Sequence, residues 1–183
     1  MTNPTLITAA TGLPVALDVI KQFSGYEDSD KDALFTLLAK AAVKLVEEWT
    51  GRSLGEQTWQ LTLAGFDCPI ELSRGPVLAV TGIEYDPADG GDAIDLTDTV
   101  WSLDLVGDPA RVVLDDGQSW PALATTPGPV RVTYTTGYAA VPEPLQLAIC
   151  AMVRDAFDNR GMPALSGAVI DSLSPYRTLW ICA

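Results

Sequence analysis

The chain has no histidine, and only three cysteines among its 183 residues. Without imidazole it lacks the commonest general base and the commonest nitrogen ligand for metals. Histidine-based triads and histidine-dependent zinc sites are therefore excluded. Cys68, Cys150 and Cys182 are odd in number and show no paired spacing. They fit neither a disulfide framework nor a four-cysteine zinc site within one chain. Cys150 lies among apolar helical residues and reads as a small buried hydrophobe, and a cytosolic context fits. Basic residues are scarce as well: 11 Lys and Arg face 24 Asp and Glu, for a formal net charge of −13. A sequence-independent DNA clamp needs many cations to neutralise phosphates, so that class is disfavoured. No Gly-Lys-Ser/Thr phosphate loop and no dinucleotide glycine fingerprint is present. No apolar run reaches membrane-spanning length, and the first residues do not read as a signal peptide.

What is present is a large apolar fraction, 48% of the residues. That is enough for a real core and argues against disorder. The length fits one domain, or one domain carrying an insertion. The charge is uneven. Residues 52–135 hold 13 acidic groups against 4 basic ones, residues 1–51 hold 7 against 4, and residues 136–183 hold 4 against 3. The acidic middle is read either as a solvated surface or as a face that repels a polyanion.

The hydrophobic period changes along the chain, and this divides it. Residues 1–12 look extended or loose. A short helix is expected from Leu13-Pro14-Val15, with Pro14 in its first turn and Val15, Val19, Ile20 and Phe23 on its apolar side. Ser29 and Asp32 approximate a capping box for the next helix. There Leu34, Leu37, Leu38, Ala41, Ala42, Leu45, Val46 and Trp49 recur at helical spacing, and Gly51 ends the run. This stripe is read as core, with part of the face open to sharing with a neighbouring molecule. From Glu56 the period becomes two. Strands are expected at Trp59–Leu63, Ile70–Leu72, Val77–Tyr85, Trp101–Leu105, Arg111–Leu114 and Val130–Thr135, separated by Gly- and Pro-containing turns. Helical spacing returns with Leu145, Ala148, Ile149, Met152 and Ala156, stopped by Gly161 and Pro163. Ala168–Leu173 is a further short helix.

The expected fold class is α+β: a small α-helical bundle with an inserted, mostly antiparallel β subdomain. Residues 13–52 and 139–174 form the helical core, 53–138 the insertion, and 175–183 a C-terminal tail. Tyr176, Leu179 and Trp180 are large apolar groups near the end of the sequence. They are tied to the body or held by another subunit.

The carboxylates offer the one opening for catalysis. Asp115-Asp116 is the densest pair, but it sits on a Gly-containing turn, which explains it by turn chemistry. Asp86, Asp89, Asp92, Asp95 and Asp98 are regularly spaced but lack the calcium-loop pattern and its closing Glu. They read as solvated loop acids. Arg52 and Arg177 each form either a surface or intramolecular salt bridge or an interface anchor. No catalytic, cofactor-binding or metal-binding residue is assigned.

Several stretches, taken in order, resemble a known family. They are Glu48-Trp49-Thr50-Gly51-Arg52, Gln57-Thr58-Trp59-Gln60-Leu61 and Arg74-Gly75-Pro76-Val77. Next come Val130-Arg131-Val132-Thr133-Tyr134-Thr135-Thr136-Gly137-Tyr138 and Val141-Pro142-Glu143-Pro144-Leu145. Asn159-Arg160 and Leu173-Ser174-Pro175-Tyr176-Arg177 complete the pattern. Over roughly residues 13 to 180 the chain resembles the head–tail connector (adaptor) proteins of tailed bacteriophages and gene transfer agents. The resemblance implies a ring, usually of twelve copies, beneath the portal protein. The ring joins the portal to the head-closure or next tail-proximal ring and lets double-stranded DNA pass without sequence-specific binding.

It also implies a virion location, with host cytoplasm during assembly, and no enzyme activity, cofactor or membrane partner. Leu173, Tyr176, Arg177, Leu179 and Trp180 would bind the portal. If they do so freely, a chain cut after Leu173 still folds as a monomer. Trp49, Arg52, Arg154 and Arg160 are candidates for the subunit interface. Asp86, Asp89, Asp92, Asp95 and Asp98 are candidate channel-facing acids. The acidic insertion and the Ile181-Cys182-Ala183 ending depart from the family pattern. A head-closure (stopper) or tail-completion protein is the nearest alternative, although a β-barrel plan would suit it better than helices at both ends. An Asp-based or metal-dependent hydrolase is the alternative from another class.

Overall fold

A computed structural model describes residues 4–66 and 69–178. The helices lie where apolar residues recur every three or four positions: α1 (Leu17–Phe23), α2 (Asp32–Thr50), α3 (Glu143–Asp158) and α4 (Gly167–Leu173), followed by a 3-10 turn over Ser174–Tyr176. The strands are β1 (Thr5–Thr8), β2 (Gln57–Leu63), β3 (Ile70–Leu72), β4 (Val77–Tyr85), β5 (Ile94–Asp95), β6 (Trp101–Asp104), β7 (Ala110–Leu114) and β8 (Val130–Thr136). This is an α+β fold. The described residues form two units, one from 11–55 and 138–178, the other from 4–10 and 56–137.

The helical unit is built around α2. Phe35, Leu38, Ala39, Ala42 and Val46 bury one side of it against Leu145, Ala148, Ile149, Met152 and Val153 of α3 and Ile20 of α1. Phe35 also joins an aromatic trio, with its ring centroid 4.6 Å from Phe157 and 5.5 Å from Tyr26. The helix ends at Gly51, whose φ of 71° is the left-handed geometry that a side chain would oppose. Its start differs from the expected capping box. No side chain caps it, and the Asp32 carboxylate is engaged by Lys21 Nζ at 2.6 Å instead. Lys21 is buried, so the pair ties α1 to α2 and satisfies a cation that burial would otherwise penalise. Likewise α1 begins at Leu17 and not at Leu13. Ala16 is extended at φ −61°, ψ 139°, which leaves Pro14 and Val15 outside the helix.

The β unit holds two antiparallel sheets. One has the order β1-β2-β8-β4-β5 and the other β3-β7-β6. Strand β8 runs through the middle of the larger sheet. Its Val130, Val132, Tyr134 and Thr136 are buried, as alternation requires of one strand face. They share a core with Trp59, Leu61 and Leu63 of β2 and with Ile70, Leu72, Ala110 and Val112 of the smaller sheet. Tyr134 is fully enclosed, its hydroxyl 3.3 Å from Ser73 Oγ. Burial pushes its phenol up to about 12 from the ordinary 10.0. Two strands escape the sequence pattern. β1 is exposed throughout and β5 is only two residues long, so neither carries an alternating signal.

Candidate assembly surfaces

The apolar arc of α2 is wider than its buried face. Leu34, Leu37, Ala41 and Leu45 follow one another at spacings of three and four and are exposed, Leu37 by 65%. Val19 and Phe23 on α1 and Leu147 on α3 are exposed as well. Periodicity merges the two stripes of α2 because it registers polarity and not neighbours. Several residues of the apolar stripe therefore stand on the surface and not in the core. Exposed apolar side chains aligned on a helix are an expense in water that association removes.

Beyond the end of α2 the chain folds back on itself, and the C-terminal turn closes over it. The Arg52 Nε donates to the Tyr176 carbonyl. The Thr178 amide donates to the Thr50 carbonyl at 2.9 Å. The Arg177 guanidinium lies over the Trp49 ring, 5.3 Å from its centroid, a cation–π arrangement. Buried Glu47 reaches inward and accepts from the Leu54 amide at 2.9 Å, fixing the loop from which Arg52 springs. Thr178 Cβ sits 3.7 Å from where a side chain on Gly51 would begin, and its buried hydroxyl has no partner among the described residues.

Trp49, Arg52, Tyr176 and Arg177 are thus brought together within one molecule, in a clasp. Leu173 lies in the helical core with no exposure at all. It anchors the tail and is not itself a surface group. Leu179 and Trp180 lie outside the described residues. A cut after Leu173 removes the clasp, so the tail is part of the monomer's own packing.

The remaining interface candidates stand apart from the clasp. Arg154 pairs with Asp158 at 3.5 Å across one exposed helical turn. Arg160 is exposed and adopts φ 53° just after α3, the left-handed position that sequence reasoning gives to a glycine. The neighbouring Gly161 amide closes the helix by donating to the Ala156 carbonyl at 2.9 Å. An arginine held in that geometry is disfavoured relative to glycine.

The acids of the insertion do not act alike. Asp86 is half-buried and takes Arg131 Nη2 at 2.8 Å, while Arg131 Nε reaches Glu84 at 3.3 Å. The Arg131 guanidinium holds the Asp86 carboxyl below its usual range, and Asp86 in turn raises Arg131. Asp89, Asp92, Asp95 and Asp98 are exposed. The cations of this unit are engaged: Arg74 over the Trp59 ring at 5.0 Å, Arg111 with Glu71 at 3.3 Å, and Arg131 as described. Each is therefore partnered within the chain. Asp115 accepts from the Ser102 hydroxyl, in keeping with a turn role. Among the described residues no cluster of three acids or cysteines is arranged to hold a metal ion. Cys150 is buried and its thiol pushed up, which leaves it unreactive. Among the described residues no helix is long and apolar enough to cross a membrane.

No protein-family model matches the chain, and neither does any curated protein sequence. Solved structures do. A chain in the neck of an empty gene transfer agent particle, computed with C6 symmetry, superposes with a TM-score of 0.78 at 21% identity, covering 98% of this chain and 97% of that one. A chain from the virion of a native gene transfer agent particle gives 0.77 at 21% identity, with 97% and 96% covered. One from the native neck, computed with C12 symmetry, gives 0.70 at 23% identity, with 97% of each covered. Over nearly its whole length, helices and inserted sheets together, the chain has the fold of a protein in the neck and virion of gene transfer agent particles.

Proposed function

We propose that this chain is a structural head–tail connector (adaptor) subunit of a tailed phage or phage-like particle. Copies of it form a ring beneath the portal, join the head to the next tail-proximal ring and leave a passage for DNA. It turns over no substrate. The observation that carries this reading is the end-to-end likeness to chains in necks of sixfold and twelvefold symmetry. Two features of the molecule support it. The exposed Leu34–Leu37–Leu45 stripe supplies apolar surface for contacts between copies. The partnered cations and exposed acids of the insertion suit a wall that DNA slides past without adhering. The C-terminal residues beyond the clasp remain the candidate contact with the portal.

Particles made without this chain test the reading directly. Filled heads that lack tails are the expected product, with tails restored when the chain is supplied. Normal tailed particles would refute it. A map of the complete particle tests the charge separately: Asp89, Asp92, Asp95 and Asp98 on the outer rim, far from DNA, would sink the repulsive wall while leaving the connector in place.

A further inference from the structure

The larger sheet ends in two unpaired edges, and they lie level with each other. Strand β1 meets β2 through Thr5↔Gln60, Leu6↔Trp59 and Thr8↔Thr58. The same β2 residues continue across β8 to β4, as Gln60↔Thr133↔Gly82, Trp59↔Tyr134↔Val80 and Thr58↔Thr135↔Ala79. The rows that begin at β1 therefore end at Ala79–Gly82 of β4, and Val77 lies one row beyond. Strand β5 covers only the other half of β4, at Glu84 and Tyr85, rows that β1 does not reach. Among the described residues nothing pairs with the outer side of β1 or of Val77–Gly82.

Neither edge carries a charged side chain. Pro4-Thr5-Leu6-Ile7-Thr8 and Val77-Leu78-Ala79-Val80-Thr81-Gly82 are neutral in a chain where 19% of residues are charged. Open edges are ordinarily blunted by lysine or inward-pointing charge. The irregularities coincide too. The ladder slips between Leu6 and Thr8 on one side, and between Val77 and Ala79 and between Val80 and Gly82 on the other. The residues set into the first two slips, Ile7 at 55% and Leu78 at 45% exposure, are apolar and sit within about one row of each other. A flat foreign strand does not follow such an edge, whereas a second edge with a matching slip does.

Strand direction completes the case. From β1 through β2 and β8 to β4 each neighbour is antiparallel, so β4 runs opposite to β1. A rotation about an axis along the strands keeps direction. It sets β1 of the next copy beside β4 in the antiparallel sense, extending the ladder without reversal. With an odd number of strands the joint would be parallel.

We propose that neighbouring copies of this chain join edge to edge, β1 of one against Val77–Gly82 of the next, so that the sheets form one continuous antiparallel band. The joint is heterologous, with different surfaces from each copy, and it closes only as a ring. It rests on the connector reading and adds a backbone-mediated contact to the apolar stripe of α2. Ile7 meets Leu78 across it.

The test uses particles from the cells that make this chain, in a background where Cys68→Ser and Cys182→Ser leave only buried Cys150. The double variant Ile7→Cys/Leu78→Cys, oxidised in the particle, should give a ladder of covalent multimers, and each single variant none. Dimers from Ile7→Cys alone would show like edges pairing and overturn the proposal. So would incorporation of the double variant at the normal level with no ladder, and in that case the connector reading survives. Absence of the unaltered chain from particles would instead remove the connector reading, and this joint with it. As a second measurement, Ile7→Lys/Leu78→Lys should melt as the unaltered monomer does, both sites being exposed, yet enter particles at least about tenfold less, because like charges would face each other across the joint. Normal incorporation of that variant overturns the joint.

Discussion

The two faces of α2 are made of the same chemistry and meet opposite fates. Phe35, Ala39, Ala42 and Val46 are sealed against α1 and α3, while Leu34, Leu37, Ala41 and Leu45, one helical step round, stand in water. Strand β8 makes the same division with different materials. Tyr134 and Val132 point into the core, and Arg131 points outward to two carboxylates. An inner face specifies the fold of one chain. An outer face that remains apolar is surface that the monomer leaves uncovered. Strand β8 shows what an outer face looks like when it is finished within the monomer.

Truncation on the inner face of α2 should be the most damaging change. Phe35→Ala opens a cavity between Tyr26 and Phe157 and should cost about 3–5 kcal/mol in equilibrium unfolding. Leu37→Ala on the outer face should move the same measurement by less than about 0.5 kcal/mol. Equal losses at the two positions would break the distinction. The clasp comes next. Arg52→Ala removes the guanidinium from the Tyr176 carbonyl and should cost about 1–3 kcal/mol, a charged donor being lost from a partly buried acceptor. The change should also shift the fluorescence of Trp49. A chain cut after Leu173 should be destabilised to at least that extent, and unchanged stability would show the clasp to be idle.

In β8 the inner face has an alkaline signature. Below pH 10 Tyr134 is neutral whether folded or unfolded and contributes no pH dependence. Between 10 and about 12 the unfolded chain releases the proton that the folded one retains, so stability falls as pH rises. Tyr134→Phe should cost about 1 kcal/mol at neutral pH and make that decline shallower. Tyr26, raised to about 12 by its hydrogen bond to the Asp30 carboxylate, keeps its own share. The smallest effect belongs to the outer face. Asp86 has a depressed folded pKa, so its stabilisation is present above the unfolded value and is lost as pH falls through the folded one. Asp86→Asn should flatten the acid limb of a stability–pH curve slightly and lower stability at neutral pH by the same small amount.

These contrasts show where the sequence was legible. Helices α2 and α3 could be read because their apolar period is long and Gly51 and the prolines at 142 and 144 punctuate them. The strands from β2 to β8 could be read wherever one face is buried. Strand β1 could not, since its residues gain their structure from pairing and not from alternation. The capping box failed for a related reason. Asp32 satisfied the local motif, but a buried lysine eleven residues earlier competed for its carboxylate and held it. For the candidate site, residue type pointed to Arg52 and Trp49. That they serve the chain's own tail depends on contacts across more than a hundred positions, which no local pattern encodes. The five acids looked equivalent until Arg131 took one of them.

The Thr178–Thr50 hydrogen bond also acts as a tether point. It pins the chain beside the last turn of α2, so whatever follows is measured from there. An extended backbone advances at most about 3.6 Å per residue, so each step past Thr178 adds no more than that to the distance from this point. With the clasp shut, how far the following residues can reach is set by their number and by the length of their side chains. The clasp is thus a fixed origin for that reach, and opening it would move the origin back to Leu173, the buried anchor of the tail.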